Sequence, residues 1–194
     1  MLETVILTVI GTLVYICFTY KRSNSAEFGS PYLPLKADVV ERIMKMAEIK
    51  KDDIFYDLGS GDGRLVIAAA KKGAKAYGVE INFFRVWESR WSIFWRGLGS
   101  RAKIVRSNLF DVDLSGASVV NAYLSQKTNN LLLPKLEKEL KNGTKVFGVA
   151  FKFLKWKPVV INPNGPAFGP IYLYKIVKKR KLDCIDDKIK YEKK

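Results

Sequence analysis

The alternation of apolar and polar positions divides the chain into two unlike parts. Residues 2–20 read LETVILTVIGTLVYICFTY, apolar or weakly polar throughout except for Glu3. Nineteen residues wound as a helix reach about 28 Å, close to the hydrocarbon thickness of a bilayer. Tyr15, Phe18 and Tyr20 gather near one end of the run, and Lys21 and Arg22 follow at once. Interfacial aromatics and the positive-inside rule together predict a single transmembrane helix with everything after it on the cytoplasmic side. A cleaved signal peptide would need a basic start and a small-residue cleavage site. The chain begins Met1-Leu2-Glu3 and offers neither. Residues 23–30, SNSAEFGS, read as a short linker.

After the linker the hydrophobic period switches repeatedly. Residues 36–49 place Val39, Val40, Ile43, Met44 and Met46 on one helical face. Residues 54–57 form a short strand that leads into a glycine-rich loop. A helix follows over 64–71, a strand over 75–80 and a helix over 83–96. Strands are expected at 102–106 and 117–123, a helix at 127–140, and a strand at 145–153. Residues 158–161 and 170–177 close the pattern as two strands across a Pro/Gly/Asn turn. Strands alternating with helices build a parallel sheet, and the final pair without a helix adds an antiparallel edge. The expected architecture is α/β: a Rossmann-like, seven-stranded, mostly parallel sheet with an antiparallel edge strand, preceded by one transmembrane helix. The expected division is 1–22 anchor, 23–30 linker, 31–177 folded domain and 178–194 charged tail.

Composition narrows the chemistry. The 194 residues contain no histidine and two cysteines, Cys17 and Cys184. Ser-His-Asp and Cys-His catalysis, His-ligated metals and a disulfide framework are excluded, and no metal is expected. Lys and Arg outnumber Asp and Glu by 34 to 19, a formal charge of +15. Residues 1–70 carry 8 bases and 9 acids, so the excess lies wholly in 71–194. Such a surface suits an anionic partner, anionic lipid or, less favoured, nucleic acid, or simply solubility. Trp87, Trp91 and Trp95 recur every four residues, a spacing read first as core packing. Lys152, Lys155, Trp156 and Lys157 read as the end of an edge strand.

The candidate site begins at Asp57, where the first strand ends, and runs through Gly59, Ser60, Gly61, Asp62 and Gly63. This is G-x-G-x-G and not the dinucleotide spacing G-x-G-x-x-G. Two acids inside the loop would oppose a pyrophosphate and favour a cationic ligand. Glu80 closes the second strand, followed by Ile81. An acid there accepts both ribose hydroxyls. Asn108 and Leu109 follow the third strand, where an adenine edge would lie. These are the carboxyl ends of adjacent strands, where open α/β sheets bind ligands. A ribose, a base and a positive charge without phosphate describe S-adenosyl-L-methionine.

The stretches PYLP (31–34), DLGSGDGR (57–64), GVEIN (78–82), SNLFDVDLS (107–115) and LLPKLEKELKNGTKV (132–146) carry a resemblance. The chain resembles class I S-adenosylmethionine-dependent methyltransferases, and among them the small archaeal protein-lysine methyltransferases and their membrane-anchored mitochondrial relatives. The resemblance covers about residues 31–177. It implies that Asp57, Gly59 and Gly61 surround the methionine end of the cofactor, that Glu80 takes the ribose, and that Asn108 lies at the adenine. It implies that Tyr32 covers the site from the N-terminal side. After the fourth strand the chain reads Tyr123-Leu124-Ser125-Gln126 and lacks Asn/Asp-Pro-Pro-Tyr/Phe, which disfavours methylation of amide nitrogen or adenine N6 by that route.

Methyl transfer to an amine needs alignment and a neutral nucleophile. A lysine buried beside a positive sulfonium loses its proton more readily, so no histidine is required. Tyr32 and Ser125 are candidates for orienting the acceptor amine. The expected function is transfer of a methyl group to the ε-amine of lysines in a protein that is membrane-embedded or close to the membrane. An RNA or small-molecule methyltransferase, and a membrane-tethered cofactor-binding module without catalysis, are the alternatives.

Overall fold

The computed structural model describes residues 1–23, 32–163 and 169–178. Apart from Ser23 and Lys178, the expected linker and charged tail fall outside the described residues, as do Pro31 and the turn at 164–168. Five strands, β1 (Ile54–Leu58), β2 (Lys75–Glu80), β3 (Ala102–Arg106), β4 (Val119–Ala122) and β5 (Lys145–Val149), run parallel. β7 (Ile171–Lys175) pairs antiparallel with β5, and β6 (Val160–Asn162) pairs antiparallel with β7. The order across the sheet is β3-β2-β1-β4-β5-β7-β6.

The helices follow the apolar stripes. α2 (Ala37–Ala47), α3 (Arg64–Lys71) and α4 (Phe83–Trp95) bury Val39, Ile43, Val66, Ala69, Val86 and Ile93 against one face of the sheet. On that face lie Phe55, Ala76, Ile104 and Phe147. α5 (Gln126–Glu139) covers the opposite face, where Leu132, Leu133 and Leu136 meet Leu58, Val120, Val146 and Tyr174. Residues 107–118, between β3 and β4, contain no helix. On that side Tyr77 and Val105 of the outer strands therefore stay partly open to solvent.

Several expectations are corrected. β5 stops at Val149, because Ala150 adopts φ +64° and turns the chain out of the sheet. Phe153 then folds back into the core against Tyr174, with ring centroids 5.6 Å apart. Lys152, Lys155, Trp156 and Lys157 thus belong to a loop and not to an edge strand. Trp156 packs on Phe153 and donates its indole N–H to Glu137 at 3.1 Å. The tryptophans of α4 are exposed and form no part of the core. The helix turns Arg85, Val86, Ser89 and Ile93 inward, which leaves the wider aromatic stripe outside.

The N-terminal helix forms as expected, α1 running Leu2–Ser23 with residues 3–16 exposed. Thr8 and Thr12 donate their hydroxyls to the carbonyls of Thr4 and Thr8, at 2.9 and 2.8 Å. Among the described residues no helix is long and apolar enough to cross a membrane. The expected transmembrane span is therefore without support in the fold.

Candidate active site

The carboxyl ends of β1, β2 and β4 meet at one rim of the sheet, and the glycine loop between β1 and α3 forms its floor. Gly59 and Ser60 donate their backbone N–H groups to the carbonyl of Val79, at 2.8 and 3.0 Å. The loop is thereby pinned across β2. The approach is so close that a Cβ on Gly78 would stand 2.5 Å from Ser60 Oγ. Gly61 has φ +55°, and a Cβ there would stand 2.6 Å from Tyr32 Cε2. Bare backbone is required at both positions.

The acids expected in the site have three different roles. Asp57 is 4% exposed, and Asn121 on the neighbouring strand donates its amide to Asp57 Oδ1 at 2.8 Å. Burial pushes the Asp57 carboxyl up to about 7. The Asn121 hydrogen bond opposes that rise, and the nearby Asp62 and Glu80 add to it. For Asp62, burial acts upward, but hydrogen bonds and charge from Arg64, with a hydrogen bond from Tyr32, hold it below the usual carboxylate range. Arg64 Nε donates to both Asp62 oxygens at 2.9 and 3.0 Å. Asp62 is thus already paired, so Asp57 alone presents an uncompensated acid. Glu80 accepts from Gly61 N at Oε2 and from Ile81 N and Asn82 N at Oε1, each at 2.9 Å. A carboxylate has about four acceptor positions. Three are taken by backbone donors, which leaves one acceptor position at Oε2.

Tyr32 closes the site from the N-terminal side, as expected. Its ring lies under the guanidinium of Arg85, whose Cζ stands 3.2 Å from the ring centroid. Burial and the charge of Asp62 raise the Tyr32 hydroxyl above its ordinary value, against the pull of Arg85 and Arg64. Arg64 also donates to the carbonyl of Leu35, which straps the segment after Tyr32 onto the loop. Asn108 stands exposed beyond β3, and its side-chain oxygen accepts from Phe110 N at 3.1 Å. Its amide N–H groups and one acceptor position on the oxygen are left for a ligand. Leu109 packs toward the core beside α5. Ser125 is the N-cap of α5, accepting from Thr128 N at 3.2 Å.

Three residues of the site escaped the sequence reading. Asn121 is the one amide side chain in the otherwise largely apolar run VVNAYL, and that interruption was the available signal. Tyr123, just past β4, lines the same cleft as Tyr32. Arg85 is only 6% exposed, and its place in an aromatic helix gave no signal of that burial.

The cleft is bounded by Tyr32, Asp57, Ser60, Gly61, Asn121 and Tyr123. Ser60 Oγ and Asn121 Oδ1 are buried there without a hydrogen-bond partner. Glycine backbone, one buried acid, orphaned polar atoms and a free acceptor on Glu80 fit a cationic nucleoside. The nearby guanidinium of Arg64 is taken by Asp62, so a phosphate would find no free cation on this loop. Fold and site together define a class I S-adenosylmethionine-dependent methyltransferase.

Known proteins agree. Residues 57–160 match the family model described as the ANTKMT methyltransferase domain, and residues 19–84 match that of the histone methylation protein DOT1. The chain belongs to the ANTKMT methyltransferase family. It is 45% identical over 150 residues to a protein-lysine N-methyltransferase of Saccharolobus islandicus, covering 75% of this chain and 93% of that protein. It is 32% identical over 136 residues to the adenine nucleotide translocase lysine N-methyltransferase of Mus musculus, covering 70% of this chain but 59% of that protein. Among solved structures, an RNA methyltransferase from Salinibacter ruber in complex with S-adenosyl-L-homocysteine superimposes with a TM-score of 0.72. Its identity to this chain is 32%, with 76% of this chain and 96% of that chain covered.

Proposed function

We propose that this methyltransferase acts on the ε-amine of lysine in a protein substrate. The observation that carries the reading is the 45% identity to the archaeal protein-lysine enzyme, which extends over 93% of that protein. Bound in the cleft, S-adenosyl-L-methionine would supply an electrophilic methyl group. Asp57 and the bare loop would hold its amino-acid end, and Glu80 would hold a ribose hydroxyl. Tyr32 and Tyr123 both line the cleft, and the acceptor would reach the methyl group past them. Burial beside the positive sulfonium would disfavour the ammonium form, so the amine would give its proton to solvent water before attack and needs no histidine. The family resemblance and the lack of a Pro-Pro-aromatic sequence after β4 agree with an aliphatic amine.

The proposal includes membrane attachment through residues 2–20, with the catalytic domain on the cytoplasmic side. The apolar run, the exposure of residues 3–16 and the Lys21-Arg22 pair support it. Attachment would confine the enzyme to acceptors at the membrane and raise their effective concentration. A second reading, methyl transfer to RNA, rests on the description of the Salinibacter ruber relative and on the +15 charge.

Labelled S-adenosyl-L-methionine, incubated with the full chain and cell membranes, decides between them. Label is expected on protein lysines and lost in the Glu80→Ala variant. Label confined to RNA would refute the lysine reading. Equal cofactor affinity in wild type and Glu80→Ala would refute the ribose assignment.

A further inference from the structure

We propose that the aromatic face of α4 is a membrane-interface docking surface that lays the catalytic domain against anionic lipid. The helix has two separate faces. Val86, Ser89 and Ile93 bury against the sheet. Trp87, Trp91 and Trp95 stand 60%, 52% and 67% exposed, with Phe83 and Phe94 beside them. A helix of 13 residues is about 20 Å long, so the stripe is a continuous apolar strip and not a scatter of single exposed rings. Soluble surfaces rarely leave such strips uncovered.

The charges around the strip select the occupant. Arg90, Arg96, Lys103 and Arg106 lie in this part of the chain, with Arg85 turned inward onto Tyr32 and Arg101 paired with Asp52, and Glu88 is the one acid in residues 83–106. Arg106 stands with its guanidinium carbon 5.4 Å from the Phe83 ring centroid. Tryptophan and phenylalanine on the apolar side with arginine along the margin is the composition of helices that lie in the headgroup layer. Each base near an anionic leaflet adds attraction. A second copy of the chain is a poor occupant, because two faces of the same positive sign would repel. RNA is a poor one too. Trp87 and Trp91 stack on each other with centroids 5.8 Å apart and planes 13° apart, and Trp91 meets Trp95 edge-on at 5.5 Å. The facing sides of Trp87 and Trp91 are thus turned to each other, with no gap between them for a base to enter.

Docking through α4 adds a second contact to the membrane attachment proposed above, on different residues, and fixes the orientation of the domain. α4 begins at Phe83, three residues after Glu80, with Asn82 as its N-cap, so the cofactor rim would be held beside the headgroups.

The full chain is mixed with vesicles of brominated phosphatidylcholine and phosphatidylserine, and both sedimentation and tryptophan emission are followed. The Trp156→Phe variant leaves only the three tryptophans of α4 as fluorophores. Its emission is expected to be strongly quenched. A Trp87→Ala, Trp91→Ala, Trp95→Ala variant, reporting only through Trp156, is expected to escape quenching and to bind these vesicles at least about tenfold more weakly. Leu7→Lys with Leu13→Lys tests α1 separately. Sedimentation without quenching in Trp156→Phe would overturn the docking and leave attachment through α1 standing. Quenching that survives the α1 substitutions with undiminished sedimentation would support the docking and overturn the α1 reading. Two further results overturn the docking: a blue-shifted, unquenched emission from a lipid-free dimer, or a response to RNA but not to vesicles.

Discussion

Asp57 should make cofactor binding depend on pH near neutrality. Its carboxyl is buried and pushed up to about 7, with Asp62 and Glu80 nearby. The empty cleft therefore holds a largely neutral Asp57 below that value, whereas a cationic ligand needs the ionised form. If binding restores an ordinary carboxylate, the apparent Kd is multiplied by 1 + 10^(7 − pH). That factor is about 11 at pH 6 and about 1.1 at pH 8, a change of roughly tenfold, or about 1.4 kcal/mol. The stability of the ligand-free protein moves the opposite way. A raised carboxyl pKa means that the native state holds a proton the unfolded chain releases. Its contribution is complete below the unfolded value of 3.8 and is lost as pH rises toward 7. Isothermal titration of the full chain with S-adenosyl-L-methionine at about pH 6 and pH 8 tests the first claim. Repeating it in buffers of different ionisation heat should show nearly one proton released at the lower pH and almost none at the higher. Asp57→Asn should bind more weakly but flatten the profile. An affinity in wild type that is flat, or tighter at pH 6, would refute the argument.

Other expectations follow from single contacts. Gly61→Ala combines a φ of +55° with a Cβ only 2.6 Å from Tyr32. It should cost about 1–2 kcal/mol, with cofactor Kd rising at least about fivefold by titration calorimetry. Arg85→Ala removes the cation under which Tyr32 lies, so KM for the cofactor should rise more than kcat falls. The loss should be about 1–2 kcal/mol, and Arg85→Lys should restore part of it. Ser125→Ala should lower stability by about 1 kcal/mol in denaturant titration and leave kcat unchanged, since its hydroxyl caps α5. A large fall in kcat at unchanged stability would instead make Ser125 an acceptor-orienting residue.

The elements legible in the sequence were those that local chemistry specifies. Asp57, the glycines and Glu80 lie within one strand-loop-helix-strand passage, and their spacing alone places them at one rim. What sequence spacing does not contain is direction. Trp87, Trp91 and Trp95 show that α4 has an aromatic face, but only packing shows that the narrower Val86-Ser89-Ile93 face wins the sheet. Asn121 and Arg85 act on Asp57 and Tyr32 across 64 and 53 residues of chain, and no periodicity reports such pairings. The end of β5 depended on the left-handed turn at Ala150, a residue whose identity gives no hint of it. The apolar run at the start was legible as a helix, while its relation to a bilayer is a question about its surroundings.

The missing helix between β3 and β4 gives the molecule a stiff half and a pliant half. β4, β5 and β7 are sandwiched from both sides and carry Asn121 and the approach to Tyr123. β2 and β3, clad mainly on one side, end at Glu80 and just before Asn108. Local opening favours thinly covered regions. Hydrogen exchange should therefore show the Glu80 side of the cleft opening before the Asn121 side.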